Sequence, residues 1–323
     1  MEYSFNTLLD VIEHAEKYKN RKRPRSGSDK QSIPFNGDME RLTECLKPLK
    51  KLYNLVGMEE LKKNIVDQIL FYSQELNTNE MMHTCLTGPP GVGKTTLGKI
   101  LAEIYCSLGF LSTDNFKVVT SADLIAGYIG QTALKTRKVL KSSLGGVLFI
   151  DEAYSIGSAA DADSKGYSKE CLDTINAFLS ENTSDFIMII AGYSDDLERH
   201  FFSFNPGLKR RFPWVYDIKK YSGKDLREIF CYQVNESEWY FEDSITDEIL
   251  NELFNEYSAI FTENGGDTLI LFDKAKICHS RRVFGKKKKY KRVLNMSDIR
   301  TAAELLKSHK NKKVKDPPFG MYV

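Results

Sequence analysis

Residues 82–95 read Met82-His83-Thr84-Cys85-Leu86-Thr87-Gly88-Pro89-Pro90-Gly91-Val92-Gly93-Lys94-Thr95. A short apolar run ends at Thr87, glycines and prolines forbid regular structure across Gly88–Gly93, and a helical pattern covers 95–108. The stretch fits Gly-x-x-x-x-Gly-Lys-Thr in the setting that gives it meaning, strand before and helix after. Glycine lets the backbone close around an anion, so the amides of Gly88, Pro89, Pro90, Gly91, Val92 and Gly93 (prolines excepted) and the helix N-terminus face negative charge. Lys94 then reaches β- and γ-phosphates, Thr95 offers its hydroxyl to Mg²⁺, and Thr96 lies in the same turn.

Outward from this loop the chain alternates. Strands are predicted over 82–87, 116–120, 147–150, 186–191 and 214–218, with helices over 59–76, 95–108, 132–143 and 168–181. Apolar strands separated by helices specify a parallel sheet covered on both faces. The third strand, Val147-Leu148-Phe149-Ile150, runs into Asp151-Glu152, 57 residues after Lys94. Two carboxylates at the C-terminal end of a buried strand sit where open α/β sheets bind ligands. With the phosphate loop present, Asp151 is a metal-shell candidate and Glu152 a general base for an attacking water. From Ser222 onward only helical patterns follow, over 223–234, 245–261, 266–282 and 296–308. The expected fold is an α/β P-loop NTPase sheet with flanking helices, followed by a small all-helical lid. The domain map is 1–48, an N-terminal helix with a basic flexible linker; 49–221, the α/β body; 222–310, the lid; and 311–323, a tail.

The chain has 323 residues with 41% hydrophobic and 28% charged side chains, ordinary for a globular protein of about two domains. No apolar run approaches the roughly 18 residues needed to span a bilayer, and the N-terminus has no secretory pattern. Six cysteines without a Cys-x-x-Cys pair argue for reduced thiols and against a zinc site. The five histidines show no metal-ligand spacing. A cytoplasmic protein is expected. Arg21-Lys22-Arg23-Pro24-Arg25 is either a solvated linker or a nuclear address. Residues 281–316 hold 14 Lys/Arg and 3 Asp/Glu, a local +11 that leaves −9 on the rest of a chain of net +2. Within them, Lys286–Lys289 with Tyr290-Lys291-Arg292 has two readings, solvated surface or a nucleic-acid contact without sequence preference.

The phosphate loop, the Asp151-Glu152 strand end and the helical lid together resemble an AAA+ ATPase. More narrowly, 124–132 (Leu-Ile-Ala-Gly-Tyr-Ile-Gly-Gln-Thr), 145–154, Ala191-Gly192-Tyr193 and Asn205-Pro206-Gly207 are similar to the CbbX (red-type Rubisco activase) and SpoVK (stage V sporulation protein K) branch. The resemblance runs from about Leu55 to Tyr221, fades in the lid and is absent from 1–50. It implies an ATP- and Mg²⁺-dependent homo-oligomer, a hexameric ring with nucleotide between subunits. Tyr128-Ile129-Gly130 matches the pore loop that grips polypeptide. An arginine finger is implied in the segment after Gly207; with Lys at 209, Arg211 is the first candidate and Arg210 the second. Val56-Gly57 matches the segment lying against adenine, with an ordinary turn into a helix nearly as good a reading. At the sensor position after the fourth strand, Tyr193 or Ser194 supplies the polar contact. The lid's usual Gly-x-Ala-Arg is replaced by Gly265-Gly266-Asp267, leaving Arg281 or Arg282 to substitute, or no such contact.

Three functional readings follow. The first is a chaperone- or activase-like ring that remodels or threads a protein substrate. The second is an ATP-driven nucleic-acid motor or loader contacting its strand through 286–292. The third is a non-catalytic nucleotide-bound scaffold, disfavoured because Lys94, Thr95, Asp151 and Glu152 are all intact. Rubisco activation itself does not follow from these residues, because similarity in the motor is silent about its cargo.

Overall fold

Three of the five sheet strands are buried along their whole length. In the computed structural model, which describes residues 5–22, 37–74, 76, 81–128, 130–158 and 162–313, these are β1 (Thr84–Thr87), β3 (Val147–Ile150) and β4 (Ile187–Gly192). The two others, β2 (Phe116–Val119) and β5 (Trp214–Asp217), are partly exposed. The order β2-β3-β4-β1-β5 explains the difference, since β2 and β5 are the edges. Every pairing is parallel, so each crossover must leave the sheet and return over a face. The register sets Thr87 level with Gly192 on one side and Asp217 on the other, and Ile150 level with Ile190.

The chain reaches this sheet through four helices. These are α1 (Leu8–Lys22), α2 (Gly37–Glu44), α3 (Leu46–Tyr53) and α4 (Glu59–Ser73). Residues 1–48 were expected to hold one helix and a linker. Instead α2 forms as well, and the first three helices bury Val11, Ala15, Leu42, Leu49 and Leu52 almost completely. Ion pairs Glu16–Lys50 (2.5 Å) and Lys51–Glu103 (2.6 Å) join α1 to α3 and α3 to α5 (Lys94–Ser107). The signal lay in Met39, Leu42, Leu46, Leu49 and Tyr53, apolar at helical spacing. Residues 23–36, which include most of the basic stretch, lie outside the described residues.

Helix α5 follows the glycine loop and lies so close to the sheet that a Cβ at Gly98 would sit 2.6 Å from the Phe149 ring. Beyond β2 come α6 (Ser121–Leu124) and α7 (Thr132–Lys141); between β3 and β4 lies α8 (Ala162–Glu181); between β4 and β5 lie α9 (Ser194–His200) and α10 (Pro206–Lys209). Helix α8 seals one sheet face with Cys171, Leu172, Ile175, Phe178 and Leu179. A buried polar chain locks four elements: Gln68 accepts from the Tyr216 hydroxyl at 2.6 Å and donates to Tyr105 Oη at 3.1 Å, which also contacts Thr84 Oγ1 at 3.3 Å. Buried polar groups satisfied in this way specify one packing.

Two compact units result, residues 1–88 with 94–218 and residues 89–93 with 219–323. The second contains α11 (Gly223–Glu236), β6 (Tyr240–Phe241), α12 (Asp247–Glu256), α13 (Gly265–Val283), β7 (Val293–Leu294) and α14 (Met296–Lys313). Helix α11 starts at a reciprocal Ser222–Asp225 capping box. The helix expected over 245–261 stops at Glu256 and tightens into a 3-10 turn over Ser258–Ile260. That break stacks Phe254 on Phe261 at 4.9 Å. Seven residues of continuous α-helix would set them about 10 Å apart along the axis. The helices are joined by one addition, a two-residue parallel pair of β6 with β7. No helix among the described residues is long and apolar enough to cross a membrane.

Truncating Leu49 tests whether α1–α3 are integral to the first unit. Because Leu49 is fully buried, Leu49→Ala should lower unfolding free energy by about 2–5 kcal/mol in a denaturant titration.

Candidate active site

The glycine loop leaves β1 through a backbone shape that other residues cannot follow. Gly88 has φ +142°, and a Cβ there would fall 2.4 Å from the Ile218 carbonyl oxygen. The Gly88 amide continues the ladder onto Gly192 O at 3.2 Å, and only then does the chain swing away. Lys94, first residue of α5, turns back and donates to Gly88 O at 2.7 Å. Its partial burial lowers the ammonium pKa, while the Asp151 and Glu152 carboxylates oppose that shift. The ammonium is thus partly drawn out of water and fixed on a backbone oxygen, in the field of two carboxylates.

Strand β3 delivers those anions. The Asp151 amide bonds to Val119 O at 3.0 Å, which extends the sheet by one residue, and Asp151 Oδ2 lies 3.5 Å from Thr95 Oγ1. That separation is long for a hydrogen bond between oxygens. The pair therefore offers a hydroxyl and a carboxylate with room between them, a donor set that suits a hard cation. Glu152 adopts φ +48°, ψ +47°. A left-handed non-glycine residue costs on the order of 1–3 kcal/mol, and such outliers gather at functional sites. The turn leaves the Glu152 side chain exposed beyond the strand end. Beside it, the Tyr154 hydroxyl pKa is pushed up to about 12, by desolvation first and by the Glu152 carboxylate second.

Strand β4 brings Tyr193 to the same edge. Its ring lies 5.7 Å from Lys94 Nζ and 5.8 Å from the Tyr154 ring. Ser194, the alternative, is exposed at the start of α9. Lys94, Thr95, Asp151, Glu152 and Tyr193 are thereby brought together by three neighbouring loops of the first unit. Thr96 is exposed as the third residue of the helix.

The remaining candidates lie elsewhere in the fold. Tyr128 is 73% exposed. Its loop is closed by Ala126 N donating to Thr132 Oγ1 at 3.2 Å and Gln131 N to Tyr128 O at 3.3 Å. Gly130 takes φ +80° with open space around it; Ile129 lies outside the described residues. Val56 and Gly57 are half-buried in a left-handed turn into α4, where Gly57 and Met58 have φ +67° and +61°.

Arg211, the first candidate for a finger, is engaged within the chain: it donates to Asn176 O at 3.2 Å and to the Ser180 hydroxyl, both on α8. Its charge adds to burial in pushing His83 down to about 4, which places the guanidinium's field inside the fold. Arg210 is exposed, with no side-chain partner among the described residues. In the lid, Arg282 is likewise engaged, binding Asp298 at 2.8 Å and Val293 O at 3.0 Å to hold α13 against β7 and α14. Arg281 is exposed. Lys286, Lys287, Lys288 and Lys291 are exposed, as is Phe284 at 93%, while Arg292 pairs with Glu238 at 2.7 Å.

Residues 84–214 match the family of ATPases associated with various cellular activities (AAA). A cfxQ-like protein, R730, of Acanthamoeba polyphaga mimivirus is 37% identical over 82% of this chain and 65% of its own length. Stage V sporulation protein K of Bacillus subtilis is 38% identical over 59% of this chain and 60% of its own. The chain thus spans less than two thirds of either relative. Protein CbxX of Cupriavidus necator is 31% identical over 80% of this chain and 81% of its own length. Among solved structures, the FIGL-1 AAA domain in complex with ADP superposes with TM-score 0.59 at 19% identity, covering 83% of this chain and 90% of that one. A Thermotoga maritima RuvB variant gives 0.55 at 20% identity, over 79% and 72%. With the fold, the strand-end residues and these relatives in agreement, the chain belongs to the AAA+ ATPases of the CfxQ/CbxX and stage V sporulation protein K type.

Proposed function

We propose that this protein hydrolyses ATP to ADP and phosphate within a homo-oligomeric ring, a hexamer, and uses the cycle to remodel or thread a protein segment. The observation that carries the hydrolytic part is the convergence of Lys94, Thr95, Asp151 and Glu152 at the C-terminal edge of the sheet. In this reading the loop amides and Lys94 hold the β- and γ-phosphates. The Thr95 hydroxyl and Asp151 carboxylate hold Mg²⁺, which when bound neutralises charge developing between those phosphates. Glu152, turned out of the strand by its left-handed backbone, orients the attacking water and accepts its proton. Tyr193 lies against the Lys94 ammonium as the polar sensor. Val56 and Gly57 line the adenine side.

Arg210 takes the finger role in place of Arg211, because a finger must leave its own subunit and Arg211 is bound to α8. Exposed Tyr128, in a loop whose glycine has open space around it, is the gripping residue: an aromatic gives sequence-tolerant contact with polypeptide. A second reading, a nucleic-acid motor, draws on the exposed Lys286, Lys287, Lys288 and Lys291 and on exposed Phe284.

Nucleotide titration checks the site directly: Lys94→Ala should lose ATP binding, while Glu152→Gln should bind ATP and fall at least about 100-fold in turnover. For the finger, Arg210→Ala should lower steady-state ATPase by about 10³-fold with ATP affinity retained. Arg211→Ala should instead lower melting temperature; a turnover loss confined to Arg211→Ala would restore the original order. Substrate class is decided by capture on Glu152→Gln protein held in ATP, with and without Tyr128→Ala. Protein recovered only when Tyr128 is present supports the remodeller; nucleic acid that survives Tyr128→Ala and leaves with salt supports the motor.

A further inference from the structure

The second unit contains the middle of the glycine loop, Pro89–Gly93, together with the lid residues 219–323. Within it, three consecutive loop carbonyls each find a donor. Pro90 O accepts from Asn264 Nδ2 at 2.9 Å, Gly91 O from the Gly265 amide at 3.0 Å, and Val92 O from the Tyr221 hydroxyl at 2.9 Å. A trans peptide is planar, with the N–H of each residue pointing opposite to the preceding carbonyl. Fixing the carbonyls of 90, 91 and 92 therefore fixes the N–H vectors of Gly91, Val92 and Gly93 in the opposite sense. Those amides are the anion donors of the motif.

The donors are themselves immobilised. Asn264 is fully buried and adopts φ +48°, ψ −120°, a conformation that disfavours side chains. Its Oδ1 accepts from the Tyr221 amide at 3.2 Å, so one side chain joins the loop to the segment entering the lid. Gly265 O accepts from Gln233 Nε2 at 3.1 Å and Thr268 Oγ1 at 2.9 Å. Asp267, buried at the start of α13, accepts from Glu263 N and Lys310 Nζ, each at 2.6 Å. The packing leaves no slack, since a Cβ at Gly91 would fall 1.9 Å from Glu263 O. This network occupies the segment where the sequence offers Gly265-Gly266-Asp267 and no arginine.

We propose that the lid of this protein senses nucleotide through the backbone of the phosphate loop. Asn264 and Tyr221 are positioning residues that, with the Gly265 amide, hold the loop's N–H groups in their anion-binding orientation. Phosphate occupancy and the order of the 263–268 turn are then linked, and linkage is reciprocal. The inference rests on the nucleotide-binding reading above.

The test uses the full chain with ATP and ADP in calorimetric titrations, and amide hydrogen exchange over residues 263–268. Tyr221→Phe removes one hydroxyl and keeps the ring. Asn264→Asp keeps the acceptor for Tyr221 N, tolerates the left-handed backbone and sets a carboxylate against Pro90 O. Dissociation constants should rise about fivefold for Tyr221→Phe, as one net hydrogen bond implies. The rise for Asn264→Asp should be larger. Nucleotide should slow exchange over 263–268 in the wild type, and less in either variant. Wild-type affinity and an unchanged exchange response in both folded variants would overturn the proposal, even if their melting temperatures fall. A wild-type chain that binds no nucleotide would remove the functional reading itself, and the inference with it.

Discussion

Thr87, Gly192 and Asp217 end level across three parallel strands. The chemistry depends on that ladder. Parallel hydrogen bonding forces every strand to exit at the same C-terminal edge of the sheet, so residues from distant parts of the chain meet without specific long-range contacts between them. Lys94 follows β1, Asp151 and Glu152 follow β3, and Tyr193 follows β4. Asp151, Glu152 and Tyr193 need only be the first or second residue beyond a strand of correct length, and Lys94 the first residue of the helix that follows the glycine loop. One residue of slip in β3 would turn Asp151 to the opposite face of the sheet and separate it from Thr95.

Around this edge, rigidity and strain are distributed unevenly. The strands are flanked by close packing, with Gly98 against Phe149 and the buried Gln68–Tyr105–Tyr216 chain beneath. A sheet held this firmly can impose the left-handed turn at Glu152, whose cost the surrounding contacts must offset. The same reasoning distinguishes the two arginines. Arg211 is consumed in holding α8 to the segment before β5, and its neighbour is left facing outward. In the lid, Arg282 is consumed by Asp298 and Val293. Adjacent or nearby residues of identical chemistry differ because only one can lie on the buried side of its turn.

Much of the fold was legible because parallel strands buried on both faces are nearly uniform in hydrophobicity, and Gly, Pro and Asp mark their ends sharply. The phosphate-loop glycines and the Asp151-Glu152 pair were legible for a related reason: their chemistry needs those residue types at that spacing. The helix α2 was missed although Met39 and Leu42 carry its period, because a basic Pro- and Gly-containing stretch precedes it and masks so short a pattern. The stop in α12 was missed because both a continuous helix and a stacked Phe254–Phe261 pair have apolar residues seven apart.

The amino-acid sequence by itself determined the order of strands and helices, the glycine loop, and which side chains are chemically competent to hold phosphate, metal and water. These are local properties, dictated by backbone freedom, side-chain type and periodicity. Tertiary structure alone decided which competent groups are free to act. It showed Arg211 and Arg282 already bound and Arg210 exposed, Tyr193 beside Lys94, and Asn264 and Tyr221 holding the loop carbonyls from more than a hundred residues away in the chain. No pattern in the sequence encodes those assignments, because a hydrogen bond between distant segments depends on where the intervening chain has packed.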